Sequence, residues 1–523
     1  MKQWESSELT NKDAIVITRF QHGSVEAVHP SYQVWSYKCL LEDFNETIYK
    51  DLIKLFPCAY LHNYKEDNII NNVFYSEYIS KAPIFLKSDA SKLRDFIKQH
   101  IKYGDSRNII YRIDSGKIKP SKNLSDELNS MLSGNEEFIM IDSQKVIYET
   151  ILEASKNIDK EDKQTIIVSG GPGTGKSVLA INLLVKLINE RLVVKYITRN
   201  SAPREVYEVK LTGSFKKSHI SNLFGGSGSF HSSESNEYSC LIIDEAHRLN
   251  EKSGMFSNLG ENQIKEIINA SQLSVFFIDE DQKVTLKDIG DIEEIEKWAR
   301  YFKSNILKLE LDSQFRCNGS EGYISWLDNI MQIRDTARVN LKDIDYDFKV
   351  IDSPEELHKI IRKKNKDKNK SRLVAGYCWD WVSKKNPELR DIVINNFSAK
   401  WNLDSDGQSW IIKPNSVNEV GCIHTCQGLE VDYVGVIIGE DLVIRNGIAK
   451  TYPEKRAKTD RSISGWKKLV KEDRALTLKK LDSIIKNTYR VLMTRGQKGC
   501  YIYCVDKETH YYFKKLISNT LES

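Results

Sequence analysis

Four glycines, a lysine and a serine stand together in Gly170-Gly171-Pro172-Gly173-Thr174-Gly175-Lys176-Ser177. The spacing G-x-x-x-x-G-K-S, met by Gly170, Gly175, Lys176 and Ser177, suits the binding of a nucleoside triphosphate. Glycines let the backbone curl so that its N–H groups face an anion, Lys176 reaches the β/γ-phosphates, and the Ser177 hydroxyl ligates Mg²⁺. Further on, the apolar run Cys240 to Ile243 ends in Asp244-Glu245. Asp244 can hold the Mg²⁺ that Ser177 also touches, and Glu245 can polarise a water for in-line attack on the γ-phosphate. His247 then couples or packs and is not a metal ligand. Gln282 follows another apolar run, Leu273 to Ile278, and reaches the same place if neighbouring parallel strands end at one edge. Gln144, about 25 residues ahead of the loop, can form two hydrogen bonds to an adenine edge.

These residues need elements to carry them. Ile166, Ile167 and Val168 are a β-branched run fit for a buried strand, and Val178 to Leu184 has the apolar density of a core-facing helix. From Phe138 onward strands and helices alternate, as in a parallel α/β sheet. Val193 to Thr198, Leu273 to Ile278 and Leu307 to Leu311 read as further strands. A second α/β unit begins near residue 345, with strands at Asp347 to Ile351, Leu373 to Tyr377, Tyr433 to Ile438 and Tyr501 to Val505. Gly225 to Asn236 reads as a mobile loop, and the charged run Arg362 to Lys370 as a solvated loop rather than a binding site. Residues 450 to 480 hold eleven Lys/Arg against four Asp/Glu, either a basic patch or a solvated helical insert.

Bulk properties narrow the class. A chain of 523 residues has room for three or four domains at roughly 150 residues each. A net charge of +4 is small for this length and excludes one dominant basic field, so any nucleic-acid contact must come from local patches. No apolar run approaches the ~18 residues that span a bilayer, and Met1 to Glu5 lacks the apolar core of a signal peptide, so a cytoplasmic protein without membrane contact is expected. Among nine cysteines, Cys422/Cys426 and Cys500/Cys504 share a C-x3-C spacing, which reads better as reduced buried thiols than as metal ligands.

The N-terminal stretch has its own pattern. Two short strands, Ala14 to Ile17 and Ser24 to Val28, precede a helix opened by His29-Pro30-Ser31, which places Gln33 and Tyr37 on one face. Q-x-x-x-Y after strands resembles the closing motif of RecB-type nucleases of the PD-(D/E)XK superfamily, with Lys2 as the lysine of the E-x-K segment; a plain amphipathic helix is the other reading. The metal-binding carboxylates of that fold are missing, which implies a truncated or degenerate unit that does not cut. The expected division is a nuclease-like unit at 1–65, a connector at 66–139, and two α/β domains at 140–340 and 341–523.

Six segments fall in order: Gln144; Gly170 to Ser177; Asp244-Glu245; Asp281-Gln282; Gln314-Phe315-Arg316; and His424 to Glu430 with Tyr489 to Arg495. The series resembles that of superfamily 1 helicases. Asp-Glu-Ala-His-Arg-Leu, His-Thr-Cys-Gln-Gly-Leu-Glu and Asn-Thr-Tyr-Arg-Val-Leu-Met-Thr-Arg-Gly resemble, more particularly, the Schlafen group 3-like DNA/RNA helicase domain, also met as a bacterial domain of unknown function. The resemblance implies an α/β fold of two RecA-like parallel-sheet P-loop NTPase domains with ATP and Mg²⁺ in the cleft between them. It implies arginine fingers at Arg316 and Arg495, worth about 10³–10⁵ in rate, and a ribose contact at Glu430. The implied partner is single-stranded DNA or RNA, ratcheted as the domains close and open. The histidine of Asp-Glu-Ala-His is more familiar from superfamily 2, and extended accessory domains are absent, so hydrolysis is the firmer expectation and unwinding the weaker. The competing reading is an ATP-driven switch that binds nucleic acid or protein without unwinding.

Overall fold

The computed structural model describes every residue except 21–22, 115, 117–123, 136, 159–161, 255–257, 312–320, 339, 343, 345, 367, 403–408 and 523. The chain divides into two compact units. One comprises Met1–Lys122, Ser130–Asn157 and Val185–Leu187, and the other holds the remainder.

In the N-terminal unit, β1 (Ser7–Leu9), β2 (Ile15–Phe20) and β3 (Gly23–Val28) form an antiparallel meander with Ile15 opposite Val28. Helix α1 (Pro30–Phe44) starts on a proline, whose fixed φ suits a first helical turn, and His29 caps it by accepting the Ser31 N–H at 3.2 Å. Trp4, Val16, Ala59, Leu61, Tyr64, Ile70, Tyr75 and Leu86 share one core. Packing therefore joins residues on both sides of the expected boundary at 65. It also crosses the one at 139: helix α2 (Asp142–Lys156) belongs to this unit, with Tyr32 donating to the Met140 carbonyl at 2.8 Å and Lys145 bonded to Asp13 at 2.8 Å.

The second unit holds two parallel sheets. The first has β4 (Gln164–Gly170), β5 (Val194–Thr198), β6 (Phe224–Gly225), β7 (Tyr238–Asp244), β8 (Ser271–Ile278) and β9 (Asn305–Leu311), in the order β9-β4-β8-β7-β5-β6. Central strands covered on both faces need apolar residues at every position, which is why β8 reads as a run and not an alternation. Helix α3 (Lys176–Asn189) follows β4, and α4 (Ser201–Leu211) follows β5. The second sheet has β10 (Asp347–Val350), β11 (Ser371–Ala375), β12 (Val420–Gly421), β13 (Val431–Ile438) and β14 (Gly496–Cys504), in the order β10-β14-β13-β11-β12.

The two sheets are tied through a shared core in which Ala202, Val206 and Val284 pack with Cys426, Leu429 and Met493. Helix α6 (Arg474–Met493) also reaches across, Asn487 donating to the Lys283 carbonyl at 3.1 Å. Beside that contact lies a cleft of about 810 Å³, with Glu280, Asp281 and Asp291 on one wall and Lys479, Lys480 and Lys486 of α6 on the other.

Two expectations are corrected. Gly225 to Asn236 is not simply a mobile loop: Gly225 pairs in the edge strand β6, Phe230 is in the core, and Ser227 bonds Gln263 at 2.9 Å. The charged run from Arg362 is not a loop at its start, because helix α5 (Pro354–Asn365) continues to Asn365. Eight cysteines are free thiols, and Cys317 lies outside the described residues. Among the described residues no helix is long and apolar enough to cross a membrane, and no group of three or more His, Cys, Asp or Glu is placed to hold a metal ion.

Candidate active site

The glycine loop joins β4 to α3. Gly173 and Gly175 have φ of +79° and +87°, a region closed to most side chains, which turns the loop back on itself. A Cβ on Gly170 would stand 2.7 Å from Thr174 Oγ1, so glycine is required there by close approach. Thr174 Oγ1 donates to the Gly171 carbonyl at 3.1 Å, and Lys176 Nζ lies 2.6 Å from each of the Gly170 and Gly171 carbonyls. The lysine is thus held over the mouth of the loop.

The end of β7 meets the start of α3. Ser177 Oγ donates to Asp244 Oδ2 at 2.6 Å, which brings together the hydroxyl and the carboxylate that the sequence assigns to Mg²⁺. Tyr196 was not foreseen. Its hydroxyl donates to the same Oδ2 at 2.5 Å, from a fully buried position on β5. The signal was a tyrosine inside an otherwise apolar strand, since a buried phenol needs a partner for its O–H. Burial and the neighbouring Glu245 charge raise the Asp244 carboxyl above its ordinary range.

Glu245 sits at φ +56°, in left-handed backbone that a non-glycine residue occupies at a cost. His247 Nε2 lies 2.8 Å from Glu245 Oε2, while His247 Nδ1 accepts the Asp279 N–H at 3.4 Å. Acceptance at Nδ1 puts the ring proton on Nε2, which is close to Oε2 but makes no hydrogen bond to it. Burial opposes the Glu245 charge, but His247, Arg495 and Lys176 outweigh it and hold the carboxyl well below its usual range. His247 therefore couples to the Glu245 carboxylate rather than only packing. Gln282 is buried nearby, with Nε2 donating to Asp279 Oδ2 at 2.7 Å and Oε1 without a hydrogen-bond partner among the described residues.

The second sheet delivers its residues to the same carboxylate. Gly428 has φ +81°, and a Cβ there would lie 2.8 Å from Pro203 Cγ and 3.9 Å from Glu245 Oε1. Arg495 is buried just before β14, its guanidinium donating to the carbonyls of Val491 at 3.0 Å and Leu429 at 3.4 Å. Gln427, a second unforeseen residue, is fully buried. It accepts from Arg248, donates to the Gln282 carbonyl at 3.4 Å, and receives Asn200 Nδ2 on its own carbonyl at 2.9 Å. It lay within the His424 to Glu430 segment, but its partners are too distant in sequence for spacing to reveal them. Glu430 accepts from Gln497 at 2.5 Å. Arg316, with Gln314 and Phe315, lies outside the described residues.

The remaining candidates belong to the N-terminal unit. Gln144 is buried in the first turn of α2, where its Oε1 accepts the Ile141 N–H at 3.4 Å. Gln33 Nε2 and the Tyr37 hydroxyl each bond Asp142 at 2.5 Å, on its two carboxylate oxygens. Burial lowers the Lys2 pKa against the opposing pull of Asp142, and its ammonium stands 4.2 Å from the Trp4 ring centre.

A strand, a glycine loop and a helix, with Ser177 and Asp244 in contact at the loop, define a P-loop NTPase. Residues 163–506 match the family described as Schlafen group 3, DNA/RNA helicase domain. The chain belongs to that family. An uncharacterized protein of Saccharomyces cerevisiae is 24% identical over 391 residues, covering 65% of this chain and 82% of the yeast protein. Among solved structures, domain III of the Thermotoga maritima replication initiation protein DnaA is 16% identical over 40% of this chain and 75% of that one, at a TM-score of 0.21. The replication initiator DnaA bound to AMPPCP and single-stranded DNA is 19% identical, with 42% of this chain and 58% of that chain covered, also at 0.21.

Proposed function

We propose that the chain is a nucleic-acid-dependent ATPase, a helicase or single-strand translocase built on two RecA-like halves. The observation that carries this is the position of Glu245: the charges of Lys176 from the first sheet and Arg495 from the second both act on it, and a Cβ added to Gly428 would stand 3.9 Å from its Oε1. A small-molecule kinase has no use for such a seam, whereas a motor needs hydrolysis to depend on how two halves meet.

The donor set fits MgATP. Ser177 and Asp244 present two oxygens at one point, the arrangement a hard divalent cation takes alongside phosphate oxygens. Lys176 and the loop amides would hold the β/γ-phosphates, with Glu430 on the ribose. Glu245, oriented by His247, would accept the proton of the attacking water, and Gln282 would orient that water. Arg495 and Arg316 would neutralise charge developing on the γ-phosphate. In the N-terminal unit, Gln33 and Tyr37 direct their hydrogen bonds to Asp142, which favours a clamp on the start of α2 over a working nuclease site.

The test is ATP turnover with and without single-stranded DNA, duplex DNA and RNA. Turnover should rise with a single strand. Glu245→Gln should keep nucleotide binding and lose about 10²–10⁴ in rate, while Lys176→Ala should lose both. Parent-like turnover in Glu245→Gln would remove the hydrolytic assignment, and stimulation without movement along a strand would replace the motor by a switch.

A further inference from the structure

Helix α5 follows β10 and packs on the second sheet through Leu357 and Ile361, four residues apart and fully buried. Its other face carries Lys359, Arg362 and Lys363, at helical offsets of zero, three and four, and Lys366 follows as the C-cap residue just past the last turn. All four are exposed, and none has a carboxylate partner among the described residues. Glu355 and Glu356 stand in the first turn and Arg362 and Lys363 in the last, where cations suit the negative end of the helix dipole. The stripe forms one side of a shallow groove of about 620 Å³; Asn396, Phe397 and Ser398 form the other. Among the lining residues Glu355 is the single acid.

We propose that this groove holds the sugar-phosphate backbone of a nucleic-acid single strand, outside the triphosphate site. The proposal rests on the nucleic-acid-dependent reading above and adds where the strand is gripped. Cations recurring once per turn, about 5.4 Å apart, meet a chain of regularly spaced phosphates, and the Asn396 amide and Ser398 hydroxyl are the side-chain types that supplement Lys and Arg on phosphate oxygens. Phe397 is buried and leaves no ring for a base to stack on, so the grip is on backbone and independent of sequence. The low net charge of the whole chain makes a local stripe the means by which it could attract a polyanion. The larger cleft beside α6 does not share this character, since Glu280, Asp281 and Asp291 line it.

The experiment measures anisotropy of fluorescent 20-nucleotide oligo-dT and oligo-U on the full chain across a series of salt concentrations. The quadruple variant Lys359→Gln, Arg362→Gln, Lys363→Gln, Lys366→Gln should bind at least tenfold more weakly. The slope of log affinity against log salt should shrink by about 0.7 for each phosphate that is no longer neutralised. A charge-keeping variant, with the lysines changed to Arg and Arg362→Lys, should restore the parent slope, and turnover without a strand should be unchanged in both. Equal affinity and slope in parent and quadruple variant would overturn the groove and leave strand-stimulated ATPase standing. No strand binding by the parent would overturn both. Binding of an acidic phosphopeptide through these four residues, with strand binding unaffected by their substitution, would also overturn it.

Discussion

Asp244 Oδ2 receives two hydroxyl hydrogens, one from Ser177 and one from Tyr196. Ser177 is assigned to the metal, so Tyr196 is the fixed partner that aims the carboxylate. A hydrogen bond to a charged acceptor is worth about 1.5–3 kcal/mol, and 1.4 kcal/mol is a factor of ten. Tyr196→Phe should therefore raise the Mg²⁺ concentration for half-maximal turnover by about tenfold or more, with the fold retained. A titration of turnover against Mg²⁺ checks this, and an unchanged midpoint would mean that Asp244 needs no such support. Asp244 and Glu245 were legible because they are adjacent and end an apolar run. Tyr196 and Gln427 were not, since their polar partners lie 48 and 179 residues away and only the fold makes them neighbours.

Elements were legible where burial is uniform. The longer strands of both sheets stand out as apolar runs, the two-residue strands β6 and β12 do not, and His29-Pro30-Ser31 marked the start of α1. Helix α5 was not read, because the charges from Arg362 onward suggested a solvated loop, while the Leu357 and Ile361 anchors that hold it are few. The cap of α1 has a consequence in pH. His29 Nδ1 accepts from Ser31, so Nε2 carries the proton it donates to the Ile70 carbonyl at 2.9 Å, and the buried ring is neutral. Burial, aided by Lys2, lowers its pKa to about 4, against an ordinary value near 6.5. The unfolded chain then binds the extra proton between these values. The stabilisation is complete above about pH 6.5 and is lost as pH falls toward 4, by about 1.4 kcal/mol per unit at most. Thermal melts of the full chain from pH 7.5 to 4.5 should show the N-terminal unit destabilised on acidification. His29→Asn should flatten that slope, and a parent slope that survives the substitution would assign it to other groups.

At the scale of the whole second unit, Glu245 behind the first sheet and Gly428 before a strand of the second, 183 positions apart in sequence, are brought together. Gly428 lies where the sheets meet, and a methyl group there would stand 2.8 Å from Pro203 Cγ in backbone of φ +81°. Gly428→Ala should push the halves apart at Glu245, lowering kcat at least tenfold while nucleotide Kd changes by less than about threefold. Stopped-flow nucleotide binding beside steady-state turnover checks this, and an unchanged kcat would mean that hydrolysis does not depend on the seam. The cleft of about 810 Å³ beside that seam sets carboxylates of the first half against lysines of α6 in the second. Opposite charges facing each other across water attract over a Debye length, about 8 Å at physiological ionic strength and about 3 Å at 1 M. Asp291 and Lys486 are paired within their own halves, with Lys283 and Asp482, so the spring across the cleft is left to Glu280, Lys479 and Lys480, and its stiffness belongs to the solvent.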